Sequence, residues 1–256
     1  MRLGKKNKKA KSSKAAQKAF ILTPSAPFAI QEAYKTLRTN IIFSTPNTGC
    51  RTIVVTSSMQ GEAKSTTSTN LSIAFGQNGD KILLIDCDLR LPTVAKKLQV
   101  NETPGLTDVI VGEADLYTAI RNVSNGFDVL PAGTIPPNPT ELLGSDKMAA
   151  LLQELQSKYE YIILDTPPVC TVADAAILSK DASGVILVVK QDVATRDGIE
   201  DALQNLELAG AKILGFLMSG VANEKTKGYK KGYYGYGGYS YSYSHASRQT
   251  EAQGDN

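Results

Sequence analysis

Several residue types are scarce in this 256-residue sequence, and each shortage excludes a class of protein. Tryptophan is absent, and the single histidine, His245, lies in a polar C-terminal stretch. Because histidine is the side chain that titrates near neutral pH, histidine-based catalysis and histidine-rich metal sites are not expected. The three cysteines, Cys50, Cys87 and Cys170, are odd in number and lack metal-like spacing, which fits free thiols in a reducing cytosol.

Long apolar runs are missing as well. The longest two, Ile82–Ile85 and Val185–Val189, have the length of buried strands, whereas a membrane-spanning helix needs about 20 apolar residues. The N-terminus has no apolar stretch behind its lysines, so it does not have the pattern of a secretory signal. We therefore expect a cytoplasmic protein.

Acidic residues are absent from the first eighteen positions, which hold eight lysines and arginines. These eight positive charges exceed the net charge of +3, which leaves a net charge of −5 on the remainder. Such an arm suits an anionic membrane surface or a nucleic acid, and it equally suits a simply solvated terminus. We predict a disordered basic arm over residues 1–24.

Apolar periodicity predicts an α/β fold. An amphipathic helix is expected over residues 29–43, and from position 51 onward short apolar runs alternate with helical segments. Such alternation predicts a mostly parallel sheet covered by helices on both faces, with ligands at the carboxyl ends of the strands. The predicted strands are 51–57, 81–86, 127–130, 161–165, 184–189 and 212–218, and the later helices are 64–77, 145–158, 173–179 and 195–208.

The composition changes sharply after Asn223. The last segment is rich in glycine, tyrosine, serine and lysine and contains almost no aliphatic residue. Because such a segment cannot bury a core, we predict a disordered tail over residues 224–256 that follows a folded domain over residues 25–223.

The stretch SSMQGEAKSTT, residues 57–67, resembles a phosphate-binding loop in which Ser58 and Ala63 occupy the glycine positions. It follows a β-branched strand and precedes a predicted helix. In such a loop, backbone N–H groups surround a polyphosphate, the lysine approaches the outer phosphates, and the next hydroxyl binds Mg²⁺. The competing interpretation is a serine-rich N-cap. The candidate nucleotide-binding residues are Gly61, Glu62, Ala63, Lys64, Ser65 and Thr66.

Carboxylates end two of the predicted strands. ILLIDCDLRLP supplies Asp86 and Asp88, followed by Arg90, and YIILD ends in Asp165. An aspartate at such a place can bind Mg²⁺ or its waters. Each one alone is equally consistent with a turn or a helix cap. Together with the loop in one parallel-sheet chain, they favour a nucleotide site.

These segments resemble the Walker A, A′ and B motifs of bacterial tyrosine kinases, the cytoplasmic kinases of capsular and exopolysaccharide synthesis. The motifs are GEAKSTTSTNLS, ILLIDCDLRLP and YIILDTPP, and the resemblance extends from about Phe28 to the tail. EAYKTLR resembles the family's E-x-x-R-x-x-R oligomerisation helix, with Lys35 in place of the first arginine. The tyrosine cluster resembles its autophosphorylation tail, with Tyr229, Tyr233, Tyr234, Tyr236, Tyr239, Tyr241 and Tyr243 as candidate acceptors.

The resemblance implies a P-loop fold and an ATP- and Mg²⁺-dependent kinase that phosphorylates its own tail. It implies that Lys64 holds the outer phosphates and that Asp86 accepts the tyrosine proton. Asp88 and Arg90 would orient the reacting groups. The implied metal-binding residues are Ser65, Asp86 and Asp165.

The resemblance also implies partners. A ring-like homo-oligomer would be held by Glu32, Lys35 and Arg38, and a neighbouring subunit's tail would be the acceptor. A membrane-anchored adaptor protein would activate the chain at the inner face of the membrane, and no nucleic-acid partner is expected. An exposed i, i+3 charge pair is the competing interpretation of the helix residues.

Ala63 departs from the family pattern, which has glycine there. A strained alanine would cost about 1–3 kcal/mol, roughly ten- to hundredfold in affinity. Two alternative functions remain, a P-loop ATPase that switches a partner and a catalytically weak scaffold of the polysaccharide assembly complex. Related partitioning ATPases carry an additional lysine where Met59 stands, which argues against the first alternative.

Overall fold

The structure is a computed structural model that describes residues 21–46, 48–123 and 126–221. The chain divides into two units after Val221, and all described residues belong to the first. The predicted tail lies outside the described residues, as does the predicted basic arm up to position 20. Within the described ranges, no helix combines the length and apolar character that crossing a bilayer requires.

A seven-stranded sheet with the order β3-β4-β2-β5-β1-β6-β7 forms the centre of this unit. Every neighbouring pair is parallel except β3 with β4, which is antiparallel. The predicted mostly parallel α/β fold is therefore confirmed. The strands are β1 Arg51–Ser57, β2 Ile82–Asp86, β3 Arg121–Val123, β4 Phe127–Leu130, β5 Tyr161–Asp165, β6 Gly184–Lys190 and β7 Ile213–Ser219.

Helices connect most of these strands. Those numbered α1, α2, α7, α8 and α9 agree with the predicted segments to within about two residues. The short helices α3 to α6 and the three-residue strand β3 were not predicted. Elements of three to six residues are too short to show a repeating apolar pattern. The helices are α1 Phe28–Ser44, α2 Lys64–Gly76, α3 Val94–Leu98, α4 Leu106–Val111, α5 Leu116–Ala119, α6 Pro139–Leu143, α7 Asp146–Gln156, α8 Asp174–Ser179 and α9 Arg196–Leu208.

The sheet separates two hydrophobic cores, because successive side chains of a strand point to opposite faces. On one face, Ile53 and Val55 of β1 pack in a cluster with Phe75 of α2. On the other face, Val54 packs in a cluster with Leu206 of α9 and residues of α7. Burial on both faces explains why the central strands are continuous apolar runs.

The three central strands β2, β5 and β1 bring the predicted motifs together. Asp86 is paired in register with Asp165 on β5, and Asp165 is paired with Val55 on β1. The loop after β1 leaves the sheet at the same edge. The carboxyl ends of these strands therefore place the phosphate-binding loop beside both aspartates, where ligands bind in open parallel sheets.

Candidate nucleotide-binding site

The loop between β1 and α2 contains two residues with left-handed backbone conformation. Gly61 has φ +88°, and Ala63 has φ 73° and ψ 27°. Glycine adopts this region without strain, whereas an L side chain pays about 1–2 kcal/mol there. The strain expected from the sequence at Ala63 is thus present as a backbone conformation.

The side chain of Glu62 is fully buried and braces the loop from within. Its Oε2 accepts hydrogen bonds from the Ser58 hydroxyl at 3.0 Å and from the Met59 amide at 2.8 Å. Its Oε1 accepts from the Lys190 amide at the end of β6 at 3.3 Å. Because a buried carboxylate requires such donors, Glu62 fixes the shape of the loop and ties it to β6.

Helix α2 begins at Lys64 and directs its N-terminus toward the loop. Its first turn contains Lys64, Ser65 and Thr66, while the amide of Thr67 already donates to the Ala63 carbonyl at 2.9 Å. The first amides of a helix lack intrahelical acceptors, and the helix dipole adds partial positive charge at this end. The arrangement is suited to a phosphate group.

Asp165, at the end of β5, is fully buried, and its two oxygens differ in their hydrogen bonds. Its Oδ1 accepts from the Ser68 hydroxyl at 2.9 Å, while its Oδ2 has no hydrogen-bond partner among the described residues. Burial raises the pKa of Asp165 to about 6, although the nearby Ser65 hydroxyl and the Lys64 ammonium oppose that shift. A buried oxygen without a donor is suited to a metal ion, and the neighbouring Ser65 hydroxyl is a second oxygen ligand.

Asp86, at the end of β2, holds the start of helix α3. Its Oδ2 accepts from the amides of Thr93 and Val94 at 3.1 and 3.0 Å, and its Oδ1 accepts from the amide of Asp88 at 3.2 Å. Burial, together with the negative charge of Asp165, raises the pKa of Asp86 well above its usual range. A carboxylate has about four lone-pair sites, two on each oxygen, so Oδ1 has one site left that can accept a proton or a ligand.

Asp88 and Arg90 follow on the same loop. Asp88 Oδ1 accepts from the Leu91 amide at 3.1 Å. Arg90 is held by Asp174 of α8 and Thr140 of α6, since its Nε lies 3.3 Å from Asp174 Oδ2 and its terminal nitrogen donates to the Thr140 hydroxyl at 2.8 Å. The Thr140 hydroxyl in turn donates to Asp174 Oδ1 at 2.6 Å. The α6 segment therefore positions Arg90.

A cavity of about 320 Å³ lies at this edge of the sheet. The lining includes five of the six residues predicted for nucleotide binding, together with Asp88, Arg90 and one lysine of α3 that was not predicted. Among these lining residues are Ala63, Lys64, Ser65, Thr66, Asp88, Arg90 and Lys97. Glu62, Asp86 and Asp165 are buried behind the lining and do not form part of it. The volume falls in the range of small-molecule sites.

Comparisons with known proteins identify the family of the chain. An AAA domain family matches residues 50–214. Tyrosine-protein kinase YwqD of Bacillus subtilis is 40% identical over 205 residues, which are 80% of this chain and 86% of that protein. The chain belongs to the bacterial tyrosine-protein kinases.

Solved structures place the chain in the same kinase family. The chimerical protein CapA2B2 is 35% identical, with a TM-score of 0.72 over 77% of this chain and 86% of that one. The kinase domain of the Escherichia coli tyrosine kinase ETK is 31% identical, with a TM-score of 0.74 over 83% of this chain and 87% of that one. More distant structures of this fold, at 21% and 28% identity, contain an ATP analogue with magnesium and Mg-ADP.

The residues that were predicted to hold a ring-like oligomer make contacts within the chain. Lys35 Nζ lies 2.7 Å from Glu32 Oε1, an i, i+3 ion pair on the surface of α1. Arg38 donates a 2.7 Å hydrogen bond to the Ala74 carbonyl in the last turn of α2. Contacts between subunits stay a prediction. The seven candidate acceptor tyrosines, from Tyr229 to Tyr243, lie outside the described residues.

Sequence reasoning missed three contributors to this site and the way in which a fourth, Glu62, acts. It placed Glu62 among the nucleotide-binding residues, whereas its buried side chain accepts hydrogen bonds within the loop. It did not include Ser68, whose position one turn after Lys64 was a usable signal. Asp174 and Thr140 are 84 and 50 residues from Arg90 in sequence, so no local pattern connects them.

Proposed function

We propose that this chain is an ATP- and Mg²⁺-dependent protein-tyrosine kinase that phosphorylates its own C-terminal tyrosines and regulates capsular or exopolysaccharide synthesis. One observation carries the proposal. The N-terminus of α2, with Lys64 in its first turn, shares an edge of the sheet with Asp165 Oδ2 and the carboxylate of Asp86. Phosphoryl transfer requires a helix N-terminus that binds phosphate, a cationic side chain and carboxylates that can hold Mg²⁺ or accept a proton.

The residues present fit a magnesium ion with a nucleotide. The Ser65 hydroxyl and the carboxylates of Asp165 and Asp86 would hold the ion directly or through water. Among the described residues, no cluster of three or more His, Cys, Asp or Glu side chains forms a metal site by itself. This agrees with Mg²⁺ bound by few protein ligands together with phosphates. When bound, the ion would supply charge neutralisation of the phosphate oxygens.

Proton transfer is assigned to Asp86. Its raised pKa makes it a better proton acceptor near neutral pH than an ordinary aspartate. The backbone amides that donate hydrogen bonds to Asp86 hold its carboxylate in one orientation. Lys64 would stabilise charge on the outer phosphates, while Asp88 and Arg90 would orient the acceptor and the phosphates around the cavity.

The position of β7 supports the tail as the substrate. The Ser219 hydroxyl, at the end of β7, donates to the Glu62 carbonyl in the phosphate-binding loop at 3.0 Å. The first candidate tyrosine, Tyr229, follows ten residues later. Ten extended residues span at most about 33 Å, and the tail follows a strand whose last residue contacts the phosphate-binding loop.

The remaining predictions form part of the proposal. The folded kinase domain extends over residues 25–223, between a basic arm and the tyrosine tail. A ring-like homo-oligomer would use Glu32, Lys35 and Arg38, and a membrane-anchored adaptor would place the chain at the cytoplasmic face of the membrane. The basic arm would add attraction to anionic lipids of that face.

The test is phosphotyrosine formation from Mg-ATP by the full chain together with the cytosolic segment of its adaptor. A variant with phenylalanine at all seven tail tyrosines should lose nearly all of the signal. Tyr117→Phe is the matched control, because Tyr117 is half exposed but lies outside the tail. Undiminished phosphotyrosine in the seven-position variant would refute the tail as substrate. ATP hydrolysis without phosphotyrosine would favour the ATPase switch.

A further inference from the structure

Lys97 is a lysine of the cavity to which no role has been assigned. It lies on α3, whose N-terminus is fixed by the hydrogen bonds from Thr93 and Val94 to the Asp86 carboxylate. From there its Nζ extends across to the first turn of α2 and donates a 3.2 Å hydrogen bond to the Thr66 hydroxyl. The ammonium therefore lies at the phosphate-binding end of α2, in the same cavity as Lys64.

Among the residues that the structure describes, this cation has no counterion within ion-pairing distance. Within the described ranges, none of the ion pairs, defined by a separation of 4.0 Å or less, includes Lys97. Burial lowers the pKa of Lys97, although the more distant charges of Asp165 and Asp86 oppose that shift. A half-buried ammonium is costly unless an anion compensates it. The arrangement thus leaves room for an anion supplied by a ligand.

The position of Thr66 indicates which part of the ligand supplies that anion. In a phosphate-binding loop the lysine before the hydroxyl residue approaches the outer phosphates, while backbone amides surround the inner ones. Thr66 is the third residue of α2, so its amide is one of the first amides that lack an intrahelical acceptor. A phosphate oxygen bound by Thr66 would lie within reach of the neighbouring Lys97 ammonium.

We propose that Lys97 binds the inner phosphates of the nucleotide beside Thr66 and is a second phosphate-binding lysine of this site. The inference rests on the proposed function, since it takes a nucleoside di- or triphosphate as the ligand. Inner phosphates are common to ADP and ATP. Lys97 therefore contributes equally to the binding of both nucleotides, and its loss raises KM without lowering kcat.

The experiment is isothermal titration calorimetry of ADP and ATP with the full-length wild type, Lys97→Gln and Lys96→Gln. Glutamine keeps a donor for Thr66 and removes the charge, and Lys96 is the matched control because it is adjacent but exposed. We expect Lys97→Gln to bind both nucleotides about tenfold more weakly, as for the loss of a charge-assisted hydrogen bond. Lys96→Gln should match the wild type.

The salt dependence of nucleotide affinity distinguishes a direct attraction between Lys97 and the phosphates from a purely structural role of Lys97. Affinity for ADP should fall less steeply with NaCl in Lys97→Gln than in the wild type, because one screened attraction is missing. An equal loss at every salt concentration would indicate that Lys97 only positions α3, and would overturn the inference. Wild-type affinity in Lys97→Gln would overturn it as well and leave the kinase proposal standing. A wild type that binds neither nucleotide would overturn both.

Discussion

The left-handed backbone of Ala63 predicts that glycine at this position stabilises the protein. Ala63 has φ 73°, a region in which an L side chain pays about 1–2 kcal/mol. Glycine removes that cost but loses about 0.5–1 kcal/mol more conformational entropy on folding. We expect Ala63→Gly to raise the free energy of unfolding by about 0.5–1 kcal/mol. For a chain of this size that gain corresponds to roughly 1–4 °C in Tm.

Urea unfolding and thermal melts measure this effect, and the chain offers controls of both signs. Gln99 has φ 59° after α3, so Gln99→Gly should stabilise to a similar extent. Ala149 is an exposed residue of the helix α7, so Ala149→Gly should destabilise by about 1 kcal/mol. If Ala63→Gly behaves like Ala149→Gly, the reasoning about a left-handed strained loop is refuted. A large gain in phosphate transfer with glycine would show that Ala63 impairs the native site.

Two further predictions concern the buried carboxylate and the α1 helix. Because the pKa of Asp165 is raised from 3.8 to about 6, its ionisation opposes folding increasingly from pH 3.8 to 6 and fully above pH 6. At pH 8, Asp165→Asn should therefore have a free energy of unfolding up to about 3 kcal/mol higher than the wild type, measured by urea titration, and near pH 4 the two should be equal. A stability difference that does not change with pH would contradict the raised pKa of Asp165. Arg38→Ala should lower the free energy of unfolding by about 1 kcal/mol, because the Ala74 carbonyl loses its donor. Lys35→Ala, which removes only a surface pair, should cost a few tenths of a kcal/mol in the same urea titration, and equal losses in the two variants would refute the distinction.

Local patterns in the sequence were sufficient for six of the seven described strands and for the motif-bearing aspartates. Continuous apolar runs indicated β1, β2, β5 and β6, and parallel strands bring Asp86 and Asp165 to one edge by geometry alone. The antiparallel β3 and the short helices were too short to show a period.

The supporting contacts of the site could not be predicted from local patterns. The brace by Glu62 depends on a side chain turning inward beneath its own loop. The Arg90 contacts with Thr140 and Asp174 join distant segments. The approach of Lys97 to Thr66 depends on where Asp86 anchors α3.

Mapping of phosphotyrosine by mass spectrometry tests the central claim most directly. The full chain is incubated with Mg-ATP and the adaptor's cytosolic segment, and Lys64→Met is treated in parallel. The proposal predicts phosphate on residues between Tyr229 and Tyr243 in the wild type and none in Lys64→Met. Unmodified tail tyrosines in a wild type that has bound the adaptor would contradict the kinase, and would favour the scaffold or the ATPase switch.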